Sequence, residues 1–162
     1  MAVAVFAVVL HHRAMIPQAF IQDLLARIAK ALARSAPEDW KALTMRISCA
    51  GDMTQTGFTA TRTSGTFNGD VRLIDDGHRA VPLLRSAMHQ PGKGSWYNAH
   101  LTLDKFAQLH AVYDYDNPPF DGAVESRFLI EDQRLYPRDP AILPLWHPCR
   151  PGGPTLPLPN DE

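Results

Sequence analysis

An α+β fold of two layers, an antiparallel sheet of about five strands with helices packed on one face, is what this chain predicts. Three observations carry it: an apolar stripe of helical period in residues 16 to 34, strict alternation in Ala42 to Cys49, and two alternating runs joined by a bend between Ser95 and Asp114. Their order along the chain gives helix, three strands, helix, two strands, helix.

In the first helix Phe20, Leu24, Ile28 and Leu32 recur four residues apart, and Ile21 and Leu25 widen the stripe. Pro17 suits a first turn and Pro37 marks the stop. Leu43, Met45, Ile47 and Cys49 then alternate with Ala42, Thr44, Arg46 and Ser48, the pattern of a half-buried strand. Gly51-Asp52 begins a turn, and Thr56 to Thr63 forms a second strand with Phe58 and Ala60 on one side. After Ser64-Gly65 and Asn68-Gly69, Val71 to Ile74 is read as a short third strand.

Asp75 or Asp76 caps a second helix reaching about His89, with Pro82 in its early turns and Val81, Leu84 and Met88 as its buried stripe. Pro91 to Gly94 closes it. Next comes a hairpin: Tyr97, Ala99, Leu101 and Leu103 oppose Trp96, Asn98, His100 and Thr102. The chain bends at Asp104-Lys105 and alternates again from Phe106 to Asp114, with Ala107, Leu109, Ala111 and Tyr113 inward. A third helix is expected from about Val124 to Tyr136, although Phe128-Leu129-Ile130 also fits a buried strand.

Three regions follow: an extension over residues 1 to 15, one domain over 16 to 147, and a Pro-rich tail over 148 to 162 read as disordered. The apolar run Met1 to Leu10 has no preceding basic residue and is too short to cross a bilayer. We read it as an added strand or an over-extended start with Met15 as the initiator, and expect a cytoplasmic protein. Cys49 and Cys149 belong to no paired-cysteine motif and are expected as free thiols in a reducing compartment.

The 162 residues suffice for one proper core. A net charge of −1 offers no basic field, so neither direct nucleic-acid binding nor membrane attachment is expected. There is no GxSxG, GxxxxGK or GxGxxG, and Gly92-Lys93-Gly94-Ser95 leads into a strand, not a phosphate-cradling helix. His100 and His110 lie nearly symmetric about the bend and on one face, close enough to share an ion, but the local pattern supplies no third ligand. No cofactor, metal site or catalytic residue is therefore expected.

Charge is concentrated in one place. Asp114, Asp116, Asp121, Glu125, Glu131 and Asp132 face a single base, Arg127, giving −6 + 1 = −5 between residues 114 and 132. Such a run is either a solvated face or a surface that steers a basic partner. Tyr113, Tyr115 and Phe120 interleave aromatic anchors, a mixture that protein interfaces favour.

Three segments give the chain a family likeness. A first helix leads into Pro37-Glu38-Asp39-Trp40 and a strand. A Trp-bearing hairpin, Gly94-Ser-Trp96-Tyr-Asn-Ala-His-Leu-Thr-Leu-Asp104-Lys-Phe106, ends in Tyr113-Asp-Tyr-Asp116. The closing segment Leu135-Tyr-Pro-Arg138-Asp-Pro-Ala-Ile-Leu-Pro144-Leu-Trp146 finishes a short helix with Pro-Arg and then Pro-x-Trp. Across roughly residues 16 to 147 this layout resembles the YezG-like immunity proteins, which bacteria encode beside polymorphic or contact-delivered toxins. The hairpin bend departs from that pattern in lacking Asp-Gly.

The resemblance implies a non-enzyme that forms a 1:1 complex with one cognate toxin domain and blocks its active site. A toxin of nuclease, deaminase or nucleotide-modifying type has a basic cleft, which an acidic, aromatic-studded surface would suit. The expected partner-binding residues are Asp114, Tyr115, Asp116, Phe120, Asp121, Glu125, Glu131 and Asp132, with the polar sheet face at Thr44, Arg46, Asn98 and His100 as an adjunct. The alternatives are a small metal-dependent hydrolase using His100, His110 and Asp104, and an effector chaperone or adaptor.

Overall fold

The computed structural model describes residues 18–69 and 75–153. The N-terminal run, the expected strand Val71 to Ile74 and the tail from 154 onward lie outside them. Helix α1 spans Gln18–Ser35, strands β1 and β2 Trp40–Ala50 and Met53–Arg62, and β3 Gly65–Gly69. Helix α2 spans Asp75–Ala87, β4 Asn98–Asp104, β5 Leu109–Asp114 and α3 Ser126–Leu135. Short 3-10 turns at Pro119–Gly122 and Pro140–Ile142 flank α3.

The strands form one antiparallel sheet of five in the order β3-β2-β1-β4-β5, so the expected two-layer α+β fold is present. Alternation explains the layering. Leu43, Met45, Ile47 and Cys49 of β1, Phe58 and Ala60 of β2, and Ala99, Leu101 and Leu103 of β4 all point into one core. Leu24, Ile28 and Leu32 of α1 and Val81 and Leu84 of α2 close that core from above. Each of the buried Leu, Ile and Val side chains contributes about 1.5–3 kcal/mol by leaving water. Phe20, at the open end of the α1 stripe, is 41% exposed and does not join it.

A second, smaller cluster of Ala50, Tyr97 and Leu129, with Phe120, Phe128 and Trp146 packed around it, seats α3 beside the β1–β2 turn. Gly51 makes that turn, its φ of 59° supplying the left-handed first position that a two-residue hairpin needs.

Three local expectations are corrected. The β2–β3 turn is Thr63-Ser64, and Gly65–Gly69 pairs with β2 as a strand; a backbone ladder here outweighs the turn preference of Gly and Asn. β5 begins at Leu109, not Phe106, because Asp104 Oδ1 accepts the Phe106 and Gln108 amides at 2.9 and 2.8 Å. That closes a wider turn and leaves Ala107 at φ 60° outside the strand. The helix reading of 124 to 136 holds, with bounds Ser126–Leu135.

Alternation puts Trp96 on the polar side of the hairpin. It is fully buried in the main core, because β4 begins only at Asn98 and the residues before it follow no pleat.

Candidate functional site

The sheet face turned away from the main core carries three cross-strand rows. Gly57, Arg46, His100 and Val112 stand side by side, as do Thr59, Thr44, Thr102 and His110. Gln55, Ser48, Asn98 and Asp114 complete the set. Arg46, His100, His110 and Val112 are exposed. A groove of about 390 Å³ runs along this face, lined among others by Arg46, Asn98, His100, Val112, Asp114 and Asp121. The expected adjunct residues Thr44, Arg46, Asn98 and His100 therefore share one face, and the groove joins part of it to the acidic loop.

The loop that rims the groove is braced. Asp114 Oδ1 accepts the Asp116 and Asn117 amides at 2.9 and 3.0 Å, and its Oδ2 accepts Asn117 Nδ2 at 2.8 Å. Partial burial pushes the Asp114 carboxyl up, but these donors outweigh it and hold the group below the usual carboxylate range. Asn98 reaches across from β4, accepting from Ser48 Oγ at 2.7 Å and donating to Asn117 O at 3.1 Å. Trp146 Nε1 donates to Asp116 O at 2.8 Å. At the far end Phe120 and Asp121 both hold left-handed backbone, φ 54° and 53°, which costs side-chain-bearing residues energy unless neighbours enforce it. Phe120 is anchored against the Tyr97–Leu129 cluster.

The six acids do not act alike. Asp116 and Asp121 are exposed, and neither carboxylate has an ion-pair partner among the described residues. Glu125 pairs with Arg127 at 2.9 Å and Glu131 with Arg134 at 2.5 Å. The Arg134 contact holds the Glu131 carboxyl below its usual range.

Asp132 corrects the sequence reading outright. It is buried, stands 2.5 Å from Arg85 and accepts the Gly51 amide at 2.8 Å, so it offers nothing to a partner. Tyr115 is only half exposed, and its carbonyl accepts from Arg138 Nη1 at 2.7 Å. The usable negative charge thus contracts to Asp116 and Asp121, with Asp114 as their brace.

Behind the loop lies a buried polar lattice that patterning missed. Arg85 Nε donates to Trp96 O at 2.8 Å, and its guanidinium lies 4.6 Å from the Tyr136 ring. Burial works against the Arg85 charge, and the Asp132 carboxylate more than offsets it. Arg138 Nη2 donates to Ser95 O at 2.6 Å while the same guanidinium stacks 4.2 Å over Tyr97. His147 is fully buried, and its Nδ1 accepts the Cys149 amide at 3.1 Å. Desolvation lowers its pKa to about 4. The signal available in sequence was indirect: Pro137-Arg138 and Trp146 belong to the segment quoted for the family likeness.

His100 stands opposite Val112 and His110 opposite Thr102, so the two imidazoles are diagonal neighbours on the open face. Asp104, the carboxylate offered as their third partner, is committed to the turn amides. Among the described residues no group of three or more His, Cys, Asp or Glu is arranged to hold a metal ion. Cys49 and Cys149 are both free thiols, Cys49 buried. No described helix is long and apolar enough to cross a membrane. No protein-family model and no curated protein matches the chain.

Proposed function

We propose that this chain is an immunity protein that holds one bacterial toxin domain in a 1:1 complex and occludes its active site without turnover. The observation that carries the reading is the braced rim at the edge of the open sheet face: Asp116 and Asp121 project free carboxylates from a loop fixed by Asp114, Asn98, Phe120 and Trp146. A rigid pair of charges loses little conformational freedom on binding and aligns a basic partner during approach. The likeness to YezG-like immunity proteins supports the same reading, in which the partner is a nuclease, deaminase or nucleotide-modifying domain with a basic cleft. In that setting the protein works in the cytoplasm of the cell it protects.

The test is co-expression with the toxin domain encoded by the neighbouring gene. The wild-type chain rescues growth and co-elutes at 1:1. Asp116→Asn with Asp121→Asn lowers the association rate roughly tenfold at low salt, leaves thermal stability in place and flattens the salt dependence. Glu125→Gln with Glu131→Gln, whose charges are already paired, changes the association rate little. Growth arrest by the toxin in the presence of the folded wild-type chain overturns the proposal.

A further inference from the structure

The sheet ends at β5, which pairs with β4 and, among the described residues, with no other strand. The ladder fixes which backbone groups are spent. Asp104 N–H donates to Gln108 O at 3.1 Å and Tyr97 N–H to Asp114 O at 2.9 Å, so Gln108, His110, Val112 and Asp114 turn their amides and carbonyls toward β4. By alternation Leu109, Ala111 and Tyr113 turn theirs outward, a row of three donors and three acceptors along the free edge.

Natural edges are usually blunted by proline, lysine or a bulge. Leu109–Asp114 contains neither proline nor lysine, and its pairing with β4 runs without a register shift. Val112 is 53% exposed beside this edge, and Phe106, in the turn that precedes it, is 85% exposed. The opposite edge, β3, is short and begins and ends in glycine, which makes it a poorer template.

The charge around β5 is polarised. At its C-terminal end stand Asp114 and then Asp116 with its free carboxylate, and at its N-terminal end the turn carries Lys105. A strand laid along the edge meets negative charge at one end and exposed apolar surface in the middle.

We propose that the outer edge of β5 is the docking site for an extended strand of the partner protein, apolar where it passes Val112 and cationic where it reaches Asp116. This rests on the binding-protein reading above and deepens it: main-chain hydrogen bonds to Leu109, Ala111 and Tyr113 supply affinity, and the Asp116 end selects a basic strand. The added strand also brings the partner alongside the groove lined by His100 and Asp121.

The experiment uses the full chain, labelled with 15N, and two synthetic octapeptides, (Lys-Val)4 and (Glu-Val)4. With (Lys-Val)4 the amides of Leu109, Ala111 and Tyr113 shift and their hydrogen exchange slows at least tenfold, while His110 and Val112, already bonded to β4, change little. (Glu-Val)4 binds at least tenfold more weakly. Ala111→Pro removes one outward donor without touching the β4 ladder and weakens binding at least tenfold. Val112→Lys, whose side chain is on the surface, does the same if the proline variant fails to fold.

Equal binding of the two peptides, or shifts that spare the outward amides, overturns the proposal. The two readings fail separately. A neighbouring-gene toxin held tightly while these amides stay unprotected sinks the edge site alone. Peptide docking at β5 with no toxin held sinks the immunity reading and leaves the edge site standing.

Discussion

Arg85 Nη1 lies 2.5 Å from Asp132 Oδ1, and only 2% and 3% of the two side chains is exposed. Through this contact α2 is tied to α3, and through the Gly51 amide on the same carboxylate both are tied to the β1–β2 turn. A buried pair of this kind tells more when broken than when counted. Removing one partner strands the other charge in the core, so Asp132→Leu or Arg85→Met alone is expected to cost about 3–5 kcal/mol. The double variant Arg85→Met with Asp132→Leu removes the stranded charge and recovers part of that loss, the remainder coming from the Gly51 amide left without an acceptor and the Trp96 carbonyl left without its Arg85 donor. Urea unfolding of the four proteins checks the cycle. Single variants within 1 kcal/mol of wild type contradict it.

Gly92 and Gly94 separate backbone conformation from space. Both hold left-handed φ, 77° and 74°. A Cβ on Gly92 meets nothing within 4 Å, whereas one on Gly94 would stand 2.6 Å from Arg138 Cγ and 3.0 Å from Tyr136 O. Gly92→Ala is expected to cost about 1–2 kcal/mol, the left-handed penalty alone. Gly94→Ala adds displacement of Arg138 from its Ser95 and Tyr115 carbonyls, and is expected to cost at least about 2 kcal/mol more. Thermal unfolding ranks the two, and equal costs would mean that Arg138 moves aside freely.

What was legible in sequence and what was not divides along a physical line. Period and alternation report which side of an element meets apolar neighbours, so the α1 stripe apart from Phe20, the α2 stripe, the inward residues of β1 and those of the hairpin apart from Ala107 followed from pattern. Acidic character reports charge but not its surroundings, and Asp132 looks like Glu131 until Arg85 arrives from 47 residues upstream (132 − 85). Trp96 escaped for a related reason: it precedes the pleat, so alternation had no authority over it. The loop residues Asp114, Asp116 and Asp121 were found by their density in the chain. Their brace from Asn98 and Trp146 depends on tertiary contacts that local pattern does not encode.

His147 gives the fold a pH dependence of definite sign. The unfolded chain takes up a proton on this residue near 6.5, while the folded chain resists until about 4. The unfolded state therefore binds more protons across that window, and stability falls as pH descends from 6.5 toward 4, by at most about 1.4 kcal/mol per pH unit from this group. Below 4 its contribution changes no further. His147→Gln keeps a side-chain acceptor toward the Cys149 amide but cannot titrate. The difference between wild-type and variant unfolding free energies, followed from pH 7 to pH 4, should fall with pH, and a constant difference would show that His147 protonates in the folded state as easily as in water.

Gly57 bears on whether the open sheet face belongs to the binding surface. It sits in β2 directly across from Arg46, and a Cβ there would meet nothing within 4 Å. Glycine inside a strand costs about 0.5–1 kcal/mol relative to alanine, so Gly57→Ala should stabilise the protein by that much. Gly57→Trp starts from the same open position, and its ring would stand over the row that runs through Arg46 and His100 to Val112. If the partner lies against this face as well as the acidic rim, Gly57→Trp keeps or raises the melting temperature and still weakens the toxin complex more than tenfold. An unchanged affinity would confine the contact to Asp116, Asp121 and the β5 side of the sheet. The face is then free of the toxin, and the Gly57 row is only the solvated side of a two-layer fold.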